Sequence, residues 1–242
     1  MSVRVLVVAA ALWGAAAGAL LPRAAYRFSV PSGEAWRAEC PGGHALRGWL
    51  GRAACPQCAE RGYGPGTASL VIATALVCAV LAAATGTRPE LGVWLLLAPV
   101  GVLLTVVDFR VRRLPDPLTL PFAGAALALL GLTALVPEHA GVWTTALLGS
   151  LALGGGYFVL FLVNPAGMGF GDVKLALGTG AALGWYGWPT VMLGTFAGFL
   201  LGALYGAALV VTRRATRKTA IPFGPFLIAG AFLGLLVGSY TA

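Results

Sequence analysis

Acidic side chains are scarce in this chain. There are eight in 242 residues, Glu34, Glu39, Glu60, Glu90, Asp108, Asp116, Glu138 and Asp172, and only three are aspartates. Lysine occurs twice, histidine twice and cysteine four times. Charged residues make up 10% of the chain, whereas a soluble domain carries roughly 25%. So few charges cannot cover a water-exposed surface. That excludes a soluble globular enzyme, a disordered chain and a nucleic-acid-binding domain. What the chain has instead is apolar: 59% of its residues are hydrophobic and the mean hydropathy is +0.87. This is the composition of an all-α polytopic membrane protein whose partner is the lipid bilayer. In such a chain a carboxylate near a membrane segment is a candidate for function.

A membrane span needs about 20 mostly apolar residues. Eight stretches qualify, at approximately 3–21, 67–86, 91–108, 117–136, 142–163, 172–186, 189–212 and 222–240. The sixth, VKLALGTGAALGWYG, is short and rich in glycine. No solenoid-type repeat and no low-complexity tail is visible. The chain divides into a first transmembrane helix at 1–21, a cysteine-containing loop at 22–66 and a seven-helix membrane domain at 67–242.

Alternating the connections places Arg23, Arg27, Arg37, Arg47, Arg52, Arg61, Arg110, Arg112, Arg113, Lys174, Arg213, Arg214, Arg217 and Lys218 on one side. Only Arg4 and Arg88 fall on the other. The positive-inside rule makes the crowded side cytoplasmic and puts both termini outside. Residues 1–25 also have the make-up of a cleavable signal peptide. Cleavage would export a loop with six arginines, so a retained first span is the expectation. The 22–66 loop is too small to fold on its own apolar core and calls for a metal or the membrane surface.

Asp108 closes the third span and Asp172 opens the sixth, so both fall at the cytoplasmic end of their helices. Two carboxyls at one depth in a low-dielectric setting can share a proton. One then acts as general base on a water while the other donates, the chemistry of aspartic proteases. Each taken alone reads equally well as an interfacial carboxylate or a helix cap. Asp172 lies at a helix N-terminus and Asp108 at a helix C-terminus. The dipoles therefore predict Asp172 as the base and Asp108 as the proton carrier, an order that Arg110, Arg112 and Arg113 could reverse.

Gly169-Phe170-Gly171-Asp172 is followed by Val173-Lys174-Leu175-Ala176 at the mouth of a membrane helix. Glycines there allow a tight turn and close approach to the aspartate. This pattern resembles the prepilin peptidase family, the type IV leader peptidases, whose second catalytic aspartate lies in a Gly-x-Gly-Asp-x-Lys motif. Asp108 with Arg113-Leu114-Pro115-Asp116-Pro117-Leu118-Thr119 is similar to the region of the family's first catalytic aspartate. Ile221-Pro222-Phe223-Gly224-Pro225-Phe226-Leu227 is similar to its last-span start.

The resemblance implies an aspartic endopeptidase of the plasma membrane. Its catalytic pair would be Asp108 and Asp172, with Gly169, Gly171 and Lys174 in positioning roles. The implied substrates are prepilins or pseudopilins of type IV pili or protein secretion, each with a short basic leader and a long apolar helix. Hydrolysis needs no cofactor. Asp116, between two prolines, reads as a turn residue. Lys174 reads either as a support for Asp172 and substrate or as a cation snorkelling to the interface.

Family members commonly carry two Cys-x-x-Cys pairs in the first loop, with structural-zinc spacing. Cys55-Pro56-Gln57-Cys58 is intact, whereas Cys40-Pro41-Gly42-Gly43-His44 has glycine in place of its second cysteine. His44 then completes a Cys3His set of Cys40, His44, Cys55 and Cys58, which zinc accepts. The alternative is a relic loop with reduced thiols. Residues 18–27 match the family only loosely. That leaves open the second activity of many members, N-methylation of the new N-terminus, for which S-adenosylmethionine would be the methyl donor. Two other readings remain open on the residues alone: a presenilin-like intramembrane protease, which shares the Gly-x-Gly-Asp turn, and a small proton-coupled transporter.

Overall fold

The computed structural model describes residues 2–58, 62–165, 167–214 and 221–242. Arg61, Arg217 and Lys218, counted above on the basic side, lie outside the described residues. Among the described residues eight helices follow one another: α1 Val3–Phe28, α2 Thr67–Thr85, α3 Glu90–Val111, α4 Asp116–Thr133, α5 Trp143–Val163, α6 Phe170–Trp185, α7 Trp188–Val211 and α8 Gly224–Thr241. Lipid offers no partner to backbone N–H and C=O groups, so an apolar run that enters it must satisfy them within its own helix. Seven of these helices are long and apolar enough to cross a membrane. Prolines near the first turns of α4, α7 and α8 suit positions where an N–H would have no helical partner.

Two elements depart from the expected pattern. The first helix continues seven residues beyond residue 21, through Pro22 to Phe28. Proline removes a ladder hydrogen bond, and the following loop makes up part of the loss. Gly51 N–H donates to the Leu20 carbonyl at 2.7 Å, and Arg23 N–H donates to the Gly51 carbonyl at 3.0 Å. The arginines of this extension organise the loop. Arg23 donates to the Arg47 carbonyl at 2.6 Å, Arg27 donates to the Gly48 carbonyl at 2.8 Å, and the Arg27 guanidinium lies 3.9 Å over the Trp49 ring.

The sixth helix is the other departure. It has 16 residues, about 24 Å at 1.5 Å each, which is short for a hydrocarbon core of ~30 Å. Twelve of them are buried, and α6 packs against α4, α5, α7 and α8. It is the enclosed axis of the bundle. Its glycine-rich composition reflects contact with other helices in place of lipid.

Small residues set the helix spacing. Gly149 faces Gly180 and Gly184 where α5 meets α6, and Gly194 and Gly198 face Gly230 where α7 meets α8. Such contacts let backbones pack closely where no hydrophobic force separates helix from lipid. A Cβ on Gly184 would collide with the Thr145 carbonyl oxygen, whereas one on Gly156 would meet nothing within 4 Å. Gly184→Ala is therefore expected to destabilise the fold by about 1–3 kcal/mol through overpacking. Gly156→Ala should be neutral or slightly stabilising, since alanine favours helix. Thermal melts of both variants in one detergent check this pair.

Candidate active site and metal centre

Asp108 sits in the last turn of α3 and Asp172 in the first turn of α6, and both are buried at 4% and 6% exposure. The two line a single cavity of about 440 Å³, with Trp36, Arg112, Arg113 and Lys174 in its wall. A second cavity, of about 470 Å³ and almost wholly apolar, opens between α2, α3 and α8 and contains no carboxyl group.

Each aspartate is held by one backbone N–H. Gly224, the first residue of α8, donates to Asp108 Oδ2 at 3.1 Å. Gly169, the N-cap of α6, donates to Asp172 Oδ2 at 3.2 Å. Asp172 Oδ1 is buried and has no hydrogen-bond partner among the described residues. This changes the electrostatic expectation drawn from the sequence. Asp108 ends one helix, but its carboxyl also rests at the N-terminus of another. Helix dipoles therefore do not separate the two groups, and the dipole basis for naming Asp172 the base is removed.

Leu114 sets the spacing between these two anchors. A Cβ on Gly171 would lie 2.8 Å from the Leu114 Cβ, and one on Gly224 would lie 2.8 Å from Asp108 Oδ2 and 3.1 Å from Leu114 Cδ1. Glycine at 171 and 224 is thus required by close approach. Gly169, at φ −76° and ψ 145°, has a backbone that any residue adopts, so its part in the motif is its N–H. The sequence motifs flagged Leu114 and Gly224 but gave neither a role.

Lys174 pairs with Asp116. Its Nζ lies 2.7 Å from Asp116 Oδ1 and 4.9 Å from the centre of the Phe170 ring. Lysine and Asp116 thus join the first turn of α6 to the first turn of α4. Arg113 reaches the other way, donating to the Pro31 carbonyl at 2.7 Å with its guanidinium 4.2 Å over Trp36. Ser32 and Trp36 of the cysteine loop consequently form part of the cavity wall.

The structure brings Cys40, His44, Cys55 and Cys58 into one cluster whose ligand atoms all lie within 4.8 Å of one another. His44 Nδ1 is 3.5 Å from Cys40 Sγ, 3.6 Å from Cys55 Sγ and 3.3 Å from Cys58 Sγ, and the Cys40 and Cys58 sulfurs are 3.6 Å apart. Metal bonds of about 2.3 Å to sulfur and 2.0 Å to nitrogen span tetrahedral edges of roughly 3.5–3.8 Å, so these residues fit one metal ion. Gly43, at φ +78°, closes the turn that swings His44 inward, donating its N–H to the Cys40 carbonyl at 2.9 Å. Burial pushes the Cys40 thiol up, but hydrogen bonds from the His44 and Gly42 backbones outweigh it and bring it down to about 6. The hydrogen bond with Cys40, and then burial, push Cys58 up to about 11. Cys78, buried in α2, takes no part and packs as a small hydrophobe.

A model of the type IV leader peptidase family matches residues 95–207, the stretch that carries both aspartates. Several relatives bear the name prepilin leader peptidase/N-methyltransferase. That of Aeromonas salmonicida (strain A449) is 38% identical over 152 residues, 60% of this chain and 48% of the relative. That of Pseudomonas aeruginosa is 31% identical over 235 residues, 89% of this chain and 75% of the relative. That of Burkholderia pseudomallei (strain 1026b) is 32% identical over 241 residues, 89% and 70% respectively. The match to the Aeromonas relatives spans about half of their length, 48% and 56%. No solved structure gives a significant match.

The ligand set generates a direct expectation. The purified protein should hold about one transition-metal ion per chain by elemental analysis. His44→Ala and Cys55→Ser should each lower that content at least severalfold after dialysis against a mild chelator. An unchanged content in both variants would contradict the assignment.

Proposed function

The chain belongs to the type IV leader peptidase family, and on that premise we propose that it is a membrane aspartic endopeptidase that removes the leader from type IV prepilin-like precursors. The observation that carries this reading is the pair of buried carboxyls, Asp108 and Asp172, lining one cavity. An ionised carboxylate takes a proton from a water, whose oxygen attacks the scissile carbonyl. The protonated partner passes its proton to the departing amide nitrogen. One proton shared by the pair supports both steps, so the residues act as a unit. Gly224 and Gly169 each donate to one of the two carboxyls, and Leu114 packs against the starts of α6 and α8, which carry Asp172 and Gly224. Family membership leaves the transporter and presenilin-like readings without support.

The substrate that fits is a precursor with a polar leader and an apolar helix in the bilayer. Seven apolar helices and bacterial relatives make this a multi-pass bacterial membrane protein. The sidedness is part of the proposal. The ends of α1, α3, α5 and α7 and the starts of α2, α4, α6 and α8 share the basic face, and both aspartates lie on it. The positive-inside rule makes that face cytoplasmic.

Zinc is the metal proposed for the cysteine loop, because three thiolates and one imidazole are a standard structural set for it. It would be held by Cys40, His44, Cys55 and Cys58 and would stabilise the loop that supplies Ser32 and Trp36 to the cavity. N-methylation of the new N-terminus, with S-adenosylmethionine as donor, is carried as a second activity on the strength of the relatives' names.

Co-expression with a pilin precursor in a host lacking its own leader peptidase tests this. Intact-mass analysis should find the precursor shortened by its leader with the wild-type enzyme, and left whole with Asp108→Asn or Asp172→Asn. Cleavage that survives in either well-folded variant would overturn the assignment. A further ~14 Da on the shortened product, one methylene, would establish methylation.

A further inference from the structure

Tyr157 is 1% exposed in α5, and its hydroxyl has no hydrogen-bond partner among the described residues. Burying a hydroxyl without a partner is unfavourable, and phenylalanine would fill the same space without that penalty. The position of the side chain suggests what the hydroxyl serves. Helices α5 and α6 run antiparallel, with Gly154 against Leu177 and the Phe161 ring 5.4 Å from the Phe170 ring. Tyr157 falls between these contacts, opposite Lys174 and so about 3 Å along the helix axis from the level of Asp172.

The tyrosine ring is 5.8 Å from Phe199 on α7 and 5.9 Å from Phe223, the residue before the Gly224 that holds Asp108. Asp172 Oδ1 is itself buried and without a partner among the described residues. A buried donor and a buried acceptor, both otherwise unused, thus occupy neighbouring levels of the bundle. Lys174, the cation nearest in sequence, is engaged with Asp116.

We propose that Tyr157 is a positioning residue of the aspartate pair, its O–H reaching the inner oxygen of Asp172 through a small shift of either side chain or one bridging water molecule. With Gly169 on Oδ2 and Tyr157 on Oδ1, the carboxyl is restrained at both ends. The catalytic meaning of that restraint rests on the proposed role of Asp172, but the contact itself does not.

Infrared spectroscopy of the full-length protein in detergent tests the contact without substrate. The Asp172 carboxyl band is identified as the one lost in Asp172→Asn. In Tyr157→Phe that band should shift in frequency, because carboxyl stretches follow hydrogen bonding, while the melting temperature is held or raised. A band unmoved in a folded Tyr157→Phe protein would overturn the proposal. The reverse measurement guards against misfolding of that variant: Asp172→Asn should shift the phenol C–O stretch of one tyrosine, and unchanged tyrosine bands would equally overturn it.

Kinetics read the consequence. Tyr157→Phe should lower kcat for leader cleavage about tenfold with KM within about twofold, the range of a lost orienting hydrogen bond. A wild-type kcat would overturn the positioning role. Band shifts in a protein that cleaves no precursor would count against the proposed activity and leave the contact standing.

Discussion

Two carboxyl groups are buried near one end of an apolar helix bundle, and most of the local architecture answers to that placement. A carboxylate removed from water is strongly disfavoured unless oriented donors replace the lost hydration. Here the donors are N–H groups at the starts of two helices, Gly224 for Asp108 and Gly169 for Asp172. Helix starts carry partial positive charge and unsatisfied N–H groups, so each can help hold an anion. The arrangement works only if α8 begins beside the end of α3 and α6 begins beside the loop into α4. Leu114, wedged against Gly171 and Gly224, enforces both conditions.

The enclosure of α6 makes this geometry possible. A helix that carries Asp172 into the bundle must be surrounded by neighbours, and its backbone must approach theirs closely. Gly178 against Phe122, Gly180 against Gly149 and Gly184 against Thr145 allow that approach on the sides facing α4 and α5. The lipid-facing work is left to the longer helices, which explains why α6 alone is too short to qualify as a span by length. At the same end, Arg113 joins the cysteine loop to the cavity through Pro31 and Trp36, so the loop and the membrane domain share one site.

Much of this is legible in the sequence because membrane chemistry leaves coarse marks. Apolar runs give seven of the eight helices to within three residues, and the few acids make the position of Asp108 and Asp172 at span ends stand out. The Cys3His set is readable because His44 lies one position beyond the missing cysteine, and the structure turns Gly43 to bring it in. The failures have equally physical sources. Pro22 reads as the end of the first helix, but Gly51 reaches across from the loop to supply hydrogen bonds at the break. The dipole argument treats Asp108 by its own helix, and the compensating helix start lies 116 residues away. The pairing of Lys174 with Asp116 on α4 spans 58 residues and has no mark in the sequence. Interactions set by helix-to-helix packing, including the neighbouring levels of Tyr157 and Asp172, have no local signature.

Above all, Asp108 and Asp172 are proposed to act as one unit across a common cavity. A double-mutant cycle measures that coupling most directly. Single-turnover rates of leader cleavage, with enzyme in excess, would be compared for Asp108→Asn, Asp172→Asn and the double variant. A pair that shares one proton is disabled by either change, so the double variant should be no slower than the slower single. Losses that multiply in the double variant would mean that the two carboxyls work independently, and the shared-proton mechanism would be contradicted.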